Sequence, residues 1–151
     1  MNQTLSIDGL GTGELDALSL TVMPGRILCL SGPSGSGKSR LLRAVADLDP
    51  HDGEVRLGDT PAHSLKADEW RRRVMLVPAE SRWWHDTVGE HCGALREADL
   101  TALGLESDVH EWPVSRLSSG EKQRLALYRA LSLDPQVLLL DAPTANLDEA
   151  T

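Results

Sequence analysis

The stretch Gly32-Pro33-Ser34-Gly35-Ser36-Gly37-Lys38-Ser39 constrains this chain more than any other. It satisfies G-x-x-x-x-G-K-[ST] in full, and each element of that pattern has a mechanical reason. Gly32, Gly35 and Gly37 let the backbone curl until successive N–H groups point inward at phosphate oxygens. A helix beginning near Lys38 adds the positive end of its dipole. Lys38 reaches the outer phosphates of a nucleoside triphosphate, and the Ser39 hydroxyl is placed to ligate Mg2+. The flanks suit this reading. Leu28, Cys29 and Leu30 read as a short buried strand ending in glycine. "KSRLLRAVADLD" then carries Leu41, Leu42, Val45 and Leu48 on one helical stripe. Residues 32–40, with Arg40 closing the run, are the predicted nucleotide cradle.

A cradle of this kind needs a second metal contact, usually an aspartate at the end of another apolar strand. Val137 to Leu140 followed by Asp141 fits, which makes Ser39 and Asp141 the candidate Mg2+ ligands and Lys38 and Asp141 the candidate catalytic pair. The next residue is Ala142, which handles no proton. Elsewhere, "LSLTVMPGRILCLSG" reads as two strands broken at Pro24-Gly25, "HDGEVRLGD" as a turn and a short strand, and Val74 to Val77 as a strand stopped at Pro78. "SSGEKQRLALYRALSLDP" is a helix with a capping box at Ser118 and Glu121 and a stop at Asp134-Pro135. Strands alternating with helices imply an α/β fold with a mostly parallel core sheet. Between 81 and 116 the texture turns to short helical patterns, predicting a helical insertion. The expected division is a core of 1–80 and 117–151 around an insertion of 81–116.

The formal charge of −8 speaks against a broad nucleic-acid surface, which needs a basic footprint. Cys29 and Cys92 are expected as reduced thiols, because no CxxC spacing occurs. The five histidines show no metal-binding spacing and are expected at the surface, with no zinc site. No basic-then-apolar leader opens the chain, and no run approaches the ~18 apolar residues of a membrane span. Arg71-Arg72-Arg73 reads as a solvated strand entrance, Trp83-Trp84 as packing of the insertion, and Tyr128 as core.

With "LSSGEKQR" at 117–124 lying between the cradle and the Asp-ended strand, and "ANLD" after it, the sequence resembles the ATP-binding subunits of ATP-binding-cassette (ABC) transporters. The resemblance runs essentially from residue 5 to the last residue. It implies a P-loop fold with a small N-terminal antiparallel portion, binding of ATP with Mg2+, and two cassettes paired head to tail. Ser118, Ser119, Gly120 and Glu121 would then face the second subunit's ATP, and residues 145–148 would cross the dimer interface. "EWPVSR" would link the insertion to this signature, and the insertion would dock on transmembrane transport subunits. That places the chain on the cytoplasmic face of the membrane, held there by those partners.

The sequence also departs from the family's pattern. Ala142 stands where the family carries a glutamate that polarises the attacking water, which predicts that ATP is bound far better than it is cleaved; general bases are worth roughly 10² to 10⁴ in rate. Ala79, followed by Glu80, stands where a glutamine is usual. No aromatic precedes Trp70, so adenine stacking from upstream of the cradle is not expected. Glu121 and Ser119 replace a glutamine and a glycine. The family's next strand would lie between the cradle strand and the Asp strand. Without it a slot about 4.8 Å wide is expected in the sheet, with bare backbone ladders unless a further segment fills it; the chain is accordingly expected to be a fragment. Three functions follow: an energy-coupling ATPase subunit, an ATP-gated cassette that barely hydrolyses, or a soluble ABC protein acting on DNA or ribosomes. The acidic balance and the single short cassette speak against the third.

Overall fold

The computed structural model of the chain describes residues 3–93 and 95–143. They form two compact units: residues 3–76 with 134–141, and residues 77–93 and 95–133 with 142 and 143.

The first unit begins with a hairpin of β1 (Leu5–Thr12) and β2 (Leu15–Val22), to which β3 (Asp52–Leu57) and the short β4 (Thr60–Pro61) add in the order β2-β1-β3-β4, antiparallel throughout. Alternation in β1 puts Leu5 and Ile7 in the core, and strict period two would then bury Gly9. A bulge changes the phase. Between Asp8↔Glu54 and Gly11↔Asp52 the β1 side has one residue more than its partner, Gly9 takes φ +59°, and Leu10 becomes fully buried. The Gly9 N–H displaced by the bulge donates to Ser19 Oγ at 2.9 Å, and the Ser19 hydroxyl donates to Asp8 Oδ1 at 3.2 Å. Pro24-Gly25 makes the expected turn, closed by Arg26 N–H to Met23 O at 3.1 Å with Gly25 at φ +71°.

Helix α1 (Lys38–Val45) buries Leu41, Ala44 and Val45 against this sheet, while Leu48, expected on the same stripe, lies beyond the helix and exposed. Helix α2 (Ala67–Arg73) carries Trp70, which is 0% exposed and donates its indole N–H to Val45 O at 2.9 Å. Arg71-Arg72-Arg73 therefore close a helix instead of opening a strand; three cations there favour the negative end of the helix dipole. Strand β5 (Val74–Val77) follows at once and pairs with β6 (Val137–Leu140) in a separate two-stranded sheet.

The buried strand expected at Leu28–Leu30 is absent. Residues 26–33 have no regular structure, all are exposed, and Ile27 reaches 92%. The residue types suit a strand, but a strand exists only when a neighbour completes its ladder. Among the described residues no strand pairs with this segment, and no continuous sheet joins it to β6. Leu140, at the end of β6, is exposed as well.

The second unit packs Val88, Cys92, Leu100, Leu105, Val109, Trp112, Leu117 and Leu125 into a core of its own. Its helices are α3 (Gly89–Cys92), α4 (Glu97–Ala102) and α5 (Ser119–Leu131), with 3-10 turns at Val109–Glu111 and Val114–Arg116. Leu117 and Leu125 join the same cluster as the insertion residues, so the compact unit takes in α5 as well as residues 81–116. Tyr128, expected in the core, is half-buried. His91 departs from the surface expectation: it is 9% exposed, because it sits inside a cluster of aromatic side chains. Among the described residues no helix is long and apolar enough to cross a membrane.

Candidate nucleotide site

The cradle is built where the β1–β2 hairpin meets the start of α1. Gly35 and Gly37 take φ +80° and +94°, a region that disfavours other residues. Gly37 is also crowded: a Cβ on it would lie 3.2 Å from Leu15 Cδ1. A turn from Ser36 N–H to Pro33 O at 3.2 Å closes the loop, and Leu41 N–H to Gly37 O at 2.8 Å starts the helix.

Lys38 folds back into its own loop. Its ammonium donates to Gly32 O at 2.7 Å, Pro33 O at 2.9 Å and Ser36 Oγ at 3.3 Å, which uses all three N–H groups. Ser34 and Ser36 remain exposed. The Arg40 guanidinium forms an ion pair with Glu14 at the hairpin tip, a contact the sequence did not disclose because nothing in the spacing ties residue 14 to residue 40. Arg43 holds Asp49 through two bonds of 2.7 Å, which keeps the Asp49 carboxyl below the usual aspartate range.

The Ser39 hydroxyl donates to Asp141 Oδ1 at 3.0 Å. The two candidate metal ligands, 102 positions apart in sequence, thus meet. Both offer hard oxygen donors, the chemistry that suits Mg2+, which takes one or two protein oxygens and keeps several waters. Ala142 follows with φ +45°, exposed and without a functional group.

The predicted signature opens α5. Ser118 Oγ accepts from Glu121 N–H at 3.2 Å, and Glu121 Oε2 accepts from Ser118 N–H at 2.7 Å. The Ser118 N–H bond holds the Glu121 carboxyl below its usual range. Ser118 and Ser119 are exposed and Gly120 is half-buried. Of the remaining expectations, "EWPVSR" runs from the last residue of the 3-10 turn Val109–Glu111 through the whole of Val114–Arg116, with Trp112 buried between them and the Arg116 guanidinium 3.4 Å from the centre of that indole ring. Residues 145–148 lie outside the described residues.

A glycine-rich loop opening a helix, with a strand-end aspartate brought to the serine of that loop, is the architecture of the P-loop ATPases. Within that class the chain belongs to the ABC transporter family, whose profile matches residues 15–145. It is 40% identical over 159 residues to the cobalt import ATP-binding protein CbiO of Rhodobacter capsulatus, covering 93% of this chain and 56% of that protein. To the aliphatic sulfonates import ATP-binding protein SsuB 1 of Pseudomonas fluorescens it is 39% identical over 145 residues, covering 93% and 53%. The chain therefore spans about half the length of these curated relatives. The structure of a bacterial Atm1-family ABC exporter with ATP bound superposes with a TM-score of 0.82 at 25% identity, over 98% of this chain and 30% of that one.

Proposed function

We propose that this chain is the ATP-binding part of an ABC transporter subunit: it binds MgATP, pairs head to tail with a second ATP-binding subunit and couples closure of that pair to transmembrane transport subunits. The observation that carries the reading is the 3.0 Å contact of Ser39 with Asp141 beside an intact phosphate loop. Mg2+ bound there would neutralise phosphate charge. Residues 32–40 hold the triphosphate, and Lys38 exchanges its bonds to Gly32 O and Pro33 O for phosphate oxygens. Ser118, Ser119, Gly120 and Glu121 present a helix start to the nucleotide of the second subunit. The chain is held at the cytoplasmic face of the membrane by its transmembrane partners. An identity of about 40% to two import proteins favours import over export. Those two relatives carry the names of unlike cargoes, cobalt and aliphatic sulfonates, which supports placing cargo recognition on other chains.

Ala142 favours the hydrolysis-poor version of this function. A carboxylate engaged with Ser39 is badly placed to act as a base, and the next side chain is a methyl group. The deciding measurement compares MgATP binding and turnover of this chain with those of Ala142→Glu. Turnover should rise by about 10²-fold or more while affinity hardly changes. Ordinary ATPase rates in the original chain would overturn the assignment of Ala142.

A further inference from the structure

Helix α1 carries two cations, Lys38 and Arg40, in its first turn and no acid. That end of a helix dipole is positive, so it stabilises anions and disfavours cations. Lys38 answers this by donating to oxygens of its own loop. Arg40 instead reaches Glu14 at the tip of the β1–β2 hairpin, and a single Nη carries the contact. Among the described residues its other N–H groups donate to nothing. The two side chains are 44% and 76% exposed, and an ion pair so open to water is readily exchanged. A cavity of about 260 Å³ lined by Thr12, Gly13, Glu14, Arg40, Asp49 and Pro50 leaves the guanidinium room to turn. Asp49, the second acid of that lining, is already forked by Arg43 through two bonds of 2.7 Å. The hairpin tip also borders the cradle, since Leu15 Cδ1 lies 3.2 Å from where Gly37 would carry a Cβ.

We propose that Glu14 sets the affinity of the nucleotide site, because its carboxylate and a triphosphate compete for the Arg40 guanidinium. This rests on the reading that residues 32–40 hold the triphosphate, and it adds the acid that the nucleotide displaces. On binding, the bond from Arg40 Nη to Glu14 breaks and the guanidinium turns to phosphate oxygens. Its fork there makes two charge-assisted bonds in place of one. Phosphate is the favoured partner, since Arg40 follows Ser39 directly and the same helix end attracts the same anion. A sugar or a base has no negative charge to offer. The opposing account makes the pair a staple that braces the hairpin against α1. The two differ in sign: breaking a staple loosens the site, whereas removing a competitor tightens it.

The test titrates the whole chain with MgATP and with magnesium tripolyphosphate by calorimetry. Glu14→Gln should tighten both by about threefold or more, the scale of a surface ion pair. Arg40→Gln should weaken both by about tenfold. In the Arg40→Gln background, Glu14→Gln should change nothing further. Asp16→Asn removes another exposed acid of the same hairpin and should shift affinity by less than about twofold, as a distant screened charge would. Should Arg40→Gln bind too weakly to measure, the contrast of Glu14→Gln with Asp16→Asn decides. An unchanged or weaker affinity in Glu14→Gln would overturn the inference in favour of the staple. An equal gain in Asp16→Asn, or in the Arg40→Gln background, would overturn it in favour of a general field. A gain with MgATP alone would move Arg40 from phosphate to the nucleoside and overturn it too. No binding of MgATP by any of these chains would overturn the proposed function and this inference with it, whereas binding that ignores Glu14 counts against this inference alone.

Discussion

Lys38 and His91 show two ways in which a single side chain answers to its surroundings. The lysine spends all its donors on its own loop, two of them on the carbonyls of Gly32 and Pro33, so the curl of the loop is held by the side chain that the proposed function assigns to phosphate. That Ser39 and Asp141 lie together was legible in the sequence, because the motif's mechanics ask for oxygen donors side by side there. His91 was not, since nothing in its spacing shows that Trp83, Trp84, His85 and Arg129 enclose it. Burial is the main cause that holds its pKa below the ordinary histidine value, opposed by the hydrogen bond to the His85 backbone; the charges of Arg129 and His85 act with burial, and Glu90 against it. The unfolded chain takes up this proton near the usual value of about 6.5, the folded one only at lower pH. The stability from this site is therefore complete above about pH 6.5 and is lost as pH falls below it. Urea midpoints at about pH 7.5 and about pH 5.5 check this, bracketing the histidine range. The wild-type chain should lose more stability between them than His91→Gln does, although the variant starts lower.

Among the elements, the bulge in β1 shows what pattern reading misses. Leu5 and Ile7 alternate properly, but the extra residue at Gly9 breaks the period before Leu10, so β1 did not stand out as a strand. Helix α2 hid for another reason: its run of arginines directly precedes the apolar Val74–Val77, and the two read as one segment. Helix α5, by contrast, was legible from its first residue, because a capping box is a local device whose two hydrogen bonds need only Ser118 and Glu121. The bulge has a partner requirement. Gly53 takes φ +80°, and a Cβ there would lie 2.3 Å from Gly9 O and 2.4 Å from Asp8 O, backbone atoms that cannot swing away. Gly53→Ala should therefore cost about 1–3 kcal/mol or more, the scale of overpacking a closed site. It should be seen as a lower thermal midpoint, while Gly13→Ala, with open space around its Cβ position, should change little.

At the scale of the whole molecule, each compact unit has its own apolar cluster, and one run of uncovered apolar side chains lies on the segment before the phosphate loop. Ile27, Leu28, Leu30 and Leu140 are exposed in the first unit, the first three on a segment of strand-forming residues with no ladder. The sequence predicted a buried strand at Leu28 to Leu30 beside a slot in the sheet; among the described residues that segment forms no strand and pairs with none. Unpaired strand-forming sequence with apolar side chains is a template for association. At micromolar concentrations the chain should form concentration-dependent oligomers by light scattering, and Ile27→Lys should reduce them. Oligomers unchanged in Ile27→Lys would place the association elsewhere.

The missing ladder also bears on how the phosphate loop works. Its exit is anchored by α1, but among the described residues no strand pairs with its entry, residues 26–31. In the proposed function, nucleotide binding would order this entry segment as well as fill the loop, so part of the interaction would be spent on ordering backbone. Affinity would then gauge how well that entry is supported: a strand laid beside Ile27 to Leu30 should tighten ATP binding from outside the site, without touching a phosphate.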